Sequence, residues 1–315
     1  MDILAIGEPL LEFNATTDGA LESAEGFSVG YGGDTSNFAI AAARCGAQIG
    51  YLTRIGDDAF GTALTELWHA EGVDTSYVVR EVGGRTGIYF IARGPDGNAF
   101  TYYRADSPAS RINPTDVPVG SVADSRLLHV TGITQAISSS ACDAAFHAIE
   151  AARGHGTLVS YDPNYRQALW PRARSRAIVM SSIELCDIAF PNLEEGRLLT
   201  GASEPEHVMA AFAARGPRIV ALKMGSDGVL LSNEGSVSHI PAHSVEAVDS
   251  SGAGDTFDGT FAARLLAGDS PEQAACYASI AAALTTTGYG AVRPIPVRAD
   301  VETLLRSRDP VQASP

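Results

Sequence analysis

Of the 22 lysines and arginines in this 315-residue chain only one, Lys223, is a lysine, and basic residues are outnumbered by 37 acidic ones for a net charge of -15. A surface so short of positive charge argues against sequence-independent nucleic-acid binding, which needs a basic face. Any anionic substrate must therefore be caught by local positive groups. Cysteine is scarce too. Cys45, Cys142, Cys186 and Cys276 form no Cys-x-x-Cys pair, and the seven histidines make no His-Glu-x-x-His or His-x-x-His cluster, so neither a disulfide framework nor a zinc site is supported. No apolar run approaches membrane-spanning length, and Met1-Asp2-Ile3-Leu4-Ala5-Ile6-Gly7-Glu8 carries no basic leader. A cytosolic protein in a reducing compartment, with no membrane and no nucleic acid among its partners, is expected. The first apolar segment is followed by Glu8-Pro9-Leu10-Leu11-Glu12-Phe13 and not by Gly-x-Gly-x-x-Gly, which counts against a dinucleotide-binding oxidoreductase. Repeats and linkers are absent as well.

What is present concentrates in Val248-Asp249-Ser250-Ser251-Gly252-Ala253-Gly254-Asp255-Thr256-Phe257. Glu246-Ala247-Val248 reads as the end of a strand, while Phe257, Phe261 and Leu265 recur at helical spacing. Gly252-Ala253-Gly254 then falls at a strand-to-helix turn. Small residues there let successive N–H groups converge, and the helix dipole adds positive potential, so the turn can serve as an anion hole. Asp255, at the helix start, can accept a proton from an incoming hydroxyl. A plain turn with Asp255 as a helix cap explains the same residues, and only company elsewhere in the chain decides between the two.

That company is an alternation of strands and helices, the pattern of a largely parallel sheet. Ile3-Leu4-Ala5-Ile6 is the first strand. Tyr31-Gly32-Gly33-Asp34-Thr35-Ser36-Asn37 leads into a helix stopped at Gly46, with Asp34 and Asn37 placed to bind hydroxyls or simply to cap. Ile49 to Arg54 is a strand, Ile55 to Gly61 a polar turn, and Leu64 to Trp68 the body of a helix closed at Gly72. Between Tyr77 and Arg104 the rhythm changes to strands alone: Thr86 to Arg93, a turn at Gly94-Pro95-Asp96-Gly97-Asn98, and Ala99 to Arg104. Such a hairpin within an α/β chain is a candidate lid, with 10–31 and 84–105 as its parts. Leu127 to Gly132 is core strand, and Ser138 to Arg153 a helix capped by serines and stopped at Gly154. Asp162-Pro163-Asn164-Tyr165-Arg166 lies at another strand end, where parallel sheets bind ligands. Asn192 and Glu195, three apart at a helix start, can hold a hydrated magnesium or merely cap the helix. Arg218 to Lys223 is a strand, followed by Gly225-Ser226-Asp227-Gly228 and a hairpin. Pro271 to Thr287 is an alanine-rich helix, and the tail beyond Pro310 reads as loose.

Taken together these pieces resemble the ribokinase-like (PfkB) carbohydrate kinase family, from Ile6 to about Arg293. Gly32-Gly33 with Asn37 resembles its N-terminal signature, Asn192-x-x-Glu195 its magnesium motif, Lys223-x-Gly225-x-x-Gly228 its nucleotide loop, and Asp249 to Asp255 its C-terminal signature. Ser250-Ser251 replace the usual two threonines but keep the hydroxyls. The resemblance implies one three-layer α/β/α domain over 1–315 with a mostly parallel central sheet and a small β lid. It implies phosphoryl transfer from ATP with magnesium, with Asp255 as base and Gly252, Ala253 and Gly254 as the anion hole. ATP is expected at Asn192, Lys223, Gly225, Ser226, Gly228, Gly252, Gly254 and Ser279, and magnesium near Asn192 and Glu195 through water. Asp249 is expected to help hold a monovalent cation, as in some relatives, and lids to pair subunits into a homodimer or higher homo-oligomer.

Gly32-Gly33-Asp34-Thr35, Tyr102-Tyr103-Arg104, Thr131-Gly132-Ile133 and Asn164-Tyr165-Arg166-Gln167-x-Leu169-Trp170 look most like the branch that phosphorylates 2-keto-3-deoxygluconate. A sugar acid brings a carboxylate, and Arg104 and Arg166 are forks that can hold one. Gly33, Asp34, Asn37, Tyr89, Tyr102, Arg104 and Arg166 are accordingly the expected sugar residues. A neutral-sugar kinase of the fructokinase or ribokinase type is the alternative, and a silent sugar-binding regulator the non-enzyme one. The intact Gly-Ala-Gly-Asp argues against the last. A chain that otherwise uses arginine has an ammonium at position 223, which points to a need for a compact charge there. Lys223→Arg is therefore expected to weaken nucleotide binding or turnover in an ADP-release assay, and an unchanged variant would refute that need.

Overall fold

The computed structural model describes residues 1–94 and 97–308. Its main sheet has nine strands, named in chain order with the four strands of a second sheet: β1 Ile3–Ile6, β2 Leu10–Asp18, β3 Phe27–Gly32, β4 Ile49–Gly56, β5 Val78–Glu81, β6 Ile88–Gly94, β7 Gly97–Tyr103, β8 Leu127–Thr131, β9 Leu158–Asp162, β10 Ile188–Ala189, β11 Ile219–Lys223, β12 Val229–Asn233 and β13 Ser236–Ile240. The main sheet runs β13-β12-β11-β10-β9-β8-β1-β4-β5, parallel from β11 to β5 and antiparallel at β12 and β13. β1 shows why such strands read as continuous apolar runs. Ile3 and Ala5 enter one core, Leu4 and Ile6 the other, and all four are buried because helices cover both faces. The expected three-layer sandwich is the observed fold.

The lid is a separate sheet, β3-β2-β6-β7, whose outer pairs are antiparallel and whose central pair, β2 with β6, is parallel. Its strands fall where the hairpin and its partners were expected; Pro95 and Asp96 of the expected turn, like the tail from 309, lie outside the described residues. On one lid face Phe13 stacks on Phe90 at 5.1 Å and Phe27 meets Phe90 edge-on at 5.2 Å. On the other, Tyr89 stacks on Tyr102 at 5.5 Å.

Three local expectations are corrected. Glu246-Ala247-Val248 is not a strand, because the chain leaves the sheet at Ile240 and the N–H groups of Val248 and Asp249 bond the Thr286 carbonyl at a helix end. The polar turn before the second helix is only Asp57-Asp58, since β4 continues to Gly56 and Asp58 already caps the helix Ala59–Ala70 through the Gly61 N–H. The Ser139–His155 helix, capped by Ser138 as expected, runs past Gly154 and stops at Gly156, which takes the left-handed conformation that a glycine cap allows.

Two helices set the geometry of the site. Asp34–Arg44 and Ala253–Leu266 pack side by side, and Gly259 lets them approach so closely that a Cβ there would overlap the Phe38 carbonyl oxygen. Their N-termini thereby meet above the strand ends. Gly259→Ala is expected to cost about 1–3 kcal/mol through overpacking, read as a lower denaturant midpoint, and to reduce activity by parting the two termini.

Candidate active site

Asp255 is the third residue of the Ala253–Leu266 helix, whose N-cap is Gly252 in the left-handed conformation with no side-chain cap. A Cβ on Gly252 would sit 2.6 Å from the Ala291 carbonyl, so the turn itself demands glycine. Gly254 is exposed on its open side. The Ala253 N–H turns back to the Ser250 carbonyl at 3.3 Å, which removes it from the expected set of anion donors and leaves that task to its neighbours. Asp249 pins the turn from below, accepting from Ser251 N–H and Oγ at 3.0 and 2.7 Å and from the Gly290 N–H at 2.9 Å.

From the facing helix, Asn37 donates to the Asp255 carboxylate at 2.8 Å, and Asn164 donates to Asp34 at 3.1 Å. Asp34 Oδ1 and Asn37 Oδ1 are buried acceptors with no hydrogen-bond partner among the described residues. Two orphaned acceptors beside a base are what hydroxyl donors of a bound sugar would satisfy. In the Gly32-Gly33 pair a Cβ on Gly33 would strike the Glu8 carbonyl, and one on Gly32 the Tyr89 side chain.

Asp255 is partly exposed. Burial, then the Asp34 charge, push its carboxyl up to about 7, with the Asn37 hydrogen bond opposing them. Behind it Lys223 donates to Asp162 at 3.0 Å and to both Asp258 oxygens at 2.9 and 3.0 Å. Burial works against this ammonium, but the Asp162 and Asp258 charges outweigh it and hold its pKa up. Three donors in a compact head meet three oxygens, a fit an arginine fork could not reproduce.

A cavity of ≈ 500 Å³ opens on the far side of the turn, bounded by Lys223, Gly225, Ser226, Gly228, Gly254 and Ser279 among others. Six expected nucleotide residues thus meet, whereas Asn192 and Gly252 stand outside its lining. The loop Ala242, Ser244, Val245 and Ala247 and the helix face of Ala282, Ala283 and Thr286 complete it. The loop residues carried no motif; the helix face could have been found from Ser279, three, four and seven residues before Ala282, Ala283 and Thr286. Ser279 Oγ is buried there without a hydrogen-bond partner among the described residues.

Asn192 caps the Leu193–Thr200 helix through the Glu195 N–H at 2.9 Å and also donates to Glu195 Oε1, while Glu195 Oε2 accepts the Tyr165 N–H at 2.7 Å. Burial and the nearby Asp162 push Glu195 up to about 7. Among the described residues no group of three or more His, Cys, Asp or Glu could hold a metal directly. With its oxygens taken, Glu195 fits a hydrated magnesium arriving on a nucleotide and not a directly bound ion.

The guanidinium of Arg104 lies 5.6 Å from the Tyr102 ring centroid. Burial raises the Tyr102 phenol, and the Arg166 and Arg104 charges both act against that rise. The two arginines are not equivalent, because Arg104 is ion-paired with Glu8, a buried carboxylate, whereas no ion pair to Arg166 occurs among the described residues. Arg166 is exposed and donates to the Tyr165 carbonyl at 3.2 Å.

A carboxylate between two helix termini, a glycine turn and a nucleotide-sized cavity suit a phosphotransferase site, and comparison with known proteins supports that class. Residues 1–298 match the pfkB family carbohydrate kinase model, and the chain belongs to that family. It is similar to 2-dehydro-3-deoxygluconokinase of Thermoproteus tenax, 33% identical over 98% of this chain and 95% of the relative, and to fructokinase-1 of Oryza sativa subsp. japonica, 30% identical over 97% and 98%. Among solved structures, a putative ribokinase II from E. coli in complex with ATP and Mg²⁺ superimposes with a TM-score of 0.90, at 26% identity over 97% of this chain and 99% of that one.

If Asp255 is the base, it must be ionised to act, so kcat/KM is expected to fall as pH drops through about 7. Asp255→Asn should cut kcat by about 10²-fold or more with ligand affinities nearly intact, since the contribution of a general base is typically 10²–10⁴. Comparable turnover in that variant would remove Asp255 from this role.

Proposed function

We propose that this carbohydrate kinase transfers the γ-phosphoryl group of ATP to the terminal C6 hydroxyl of 2-keto-3-deoxygluconate. The observation that carries the reading is Arg166, a guanidinium without an ion-pair partner among the described residues, set beside Tyr102 and Arg104. A carboxylate is the group such a cation would recognise. The relative from Thermoproteus tenax, whose name specifies this substrate, points the same way.

In this reading the sugar acid lies under Tyr89 and Tyr102 with its hydroxyls on Asp34 and Asn37. Asp255 accepts the C6 hydroxyl proton, the oxygen bonds to the γ-phosphorus, and ADP departs as the bond to its β-phosphate oxygen breaks. Charge developing on the transferred group meets N–H groups of the Gly252-Ala253-Gly254 turn and the dipole of the helix behind it. The nucleotide fills the cavity floored by Gly225 to Gly228, with Ser279 Oγ free to bond it. Magnesium bound to the phosphates would neutralise charge, held through water by Asn192 and Glu195. Closure of the lid excludes water that would otherwise hydrolyse ATP.

The same reading places the enzyme in the cytosol with its four cysteines as free thiols. It gives Asp249 a share in a monovalent-cation site. It also pairs subunits through the lid face that exposes Phe27, Val29 and Tyr103.

The neutralisation of Arg104 by Glu8 favours a second reading, a fructokinase-type acceptor, because it leaves one net cation instead of two. Arg166→Ala decides between them. It is expected to lower kcat/KM for the sugar acid by about 10–10²-fold, the loss of a charge-assisted hydrogen-bond pair, and that for a neutral ketose by less than threefold. Equal losses on both would favour the neutral sugar.

A further inference from the structure

Glu12, on β2 of the lid, is only 2% exposed and has no place in the chemistry above. Its carboxylate accepts the Tyr89 hydroxyl at 2.6 Å, and its Oε1 packs against Gly290, the residue before Ala291. Tyr89 carries the stacked ring that roofs the sugar position. Ala291 belongs to the loop whose Gly290 N–H bonds Asp249, and Asp249 in turn holds Ser251 N–H and Oγ at the anion-hole turn. The Ala291 carbonyl lies against Gly252 itself. A continuous path of hydrogen bonds and close backbone packing thus joins the Tyr89 ring to the Gly252 turn, and Glu12 is its middle member.

Two features show that this position is built for a carboxyl. A Cβ on Gly30, from the neighbouring strand, or on Gly290, from the loop, would come within 2.9 Å of Glu12 Oε1, so both glycines make room for it. Beyond lies a cavity of ≈ 330 Å³ reached by Glu12, Asn14, Gly30, Tyr31, Gly290 and Ala291. With open space on that side, packing alone does not fix the loop. Hydrogen bonds do.

We propose that Glu12 is a positioning residue that makes nucleotide binding responsive to sugar binding. A sugar that seats Tyr89 fixes Glu12, Glu12 fixes the Ala291 loop, and that loop with Asp249 sets the turn that receives the terminal phosphate. Each step is a hydrogen bond or a close packing contact, and together they give the two sites a coupling free energy. The inference rests on Tyr89 and the Gly252 turn serving one active site, and it holds for whichever sugar the enzyme phosphorylates.

The test measures affinity for a non-hydrolysable ATP analogue by calorimetry, with and without a saturating amount of the sugar that the wild-type enzyme turns over. Wild type is expected to bind the analogue at least about fivefold more tightly when sugar is present, the lower end of typical coupling. Glu12→Gln keeps the volume but turns one of the two acceptor oxygens, bonded to Tyr89 or packed on Gly290, into an N–H₂ donor, and is expected to reduce the factor to below about twofold. Each ligand alone should retain its affinity within about threefold, which a merely destabilised protein would not show. Tyr89→Phe should lower the factor likewise, and the double variant should be no worse than the more affected single, because both break one path. Absence of coupling in the wild type, an unchanged factor in Glu12→Gln, or additive losses would each overturn the proposal. Failure of the underlying site assignment would show elsewhere, as an Asp255→Asn enzyme that still turns over.

Discussion

The ammonium of Lys223, clasped between Asp162 and Asp258, is the interaction on which the site's arrangement depends. Asp162 ends β9, Lys223 ends β11, and Asp258 lies one turn into the helix that carries Asp255. One buried cation therefore ties the edge of the parallel sheet to the catalytic helix. Removing one member of such a group leaves a buried charge uncompensated and typically costs about 3–5 kcal/mol. The packing of Gly259 on the Asp34 helix holds the same helix from its other side. Asp255 is thus located by a charge cluster beneath and a close backbone contact alongside.

The cluster also sets the electrostatics. Two carboxylates share one ammonium, and Asp34 and Glu195 stand nearby, so negative charge predominates around Asp255. This surplus contributes to lifting Asp255 and Glu195 to about 7. It gives Asp255 a proton affinity suited to neutral pH, and it leaves room for a cation. Positive potential comes from sources without titratable protons: a helix terminus, main-chain N–H groups and arginine.

The periodic and glycine-based features could be read from the amino-acid order alone. Alternating strands and helices, the lid strands, the Gly225 to Gly228 loop and the Gly252 to Asp255 turn are local patterns, and local patterns survive without coordinates. Pairings made across the chain could not be read. Asn37 bonds Asp255 across 218 positions, and Arg104 finds Glu8 instead of acting as a second free fork beside Arg166. Glu8 follows the first strand and Glu12 sits between Leu11 and Phe13, and nothing local says that their carboxyls are buried. Glu246 to Val248 misled for the opposite reason, as a short apolar run suits a strand but here bonds to a helix end.

The parallel junction of β2 with β6 has a consequence for how the molecule is made. A lid of simple hairpins could assemble from neighbouring residues as soon as they were synthesised. Here residues 10–18 must find 88–94 side by side in the same direction, with the Asp34 helix, β4, the Ala59 helix and β5 between them. Closing that interval is entropically slow until the intervening elements have condensed. The second sheet is therefore late to take shape, and a nascent chain that stalls before Tyr103 carries it only in part.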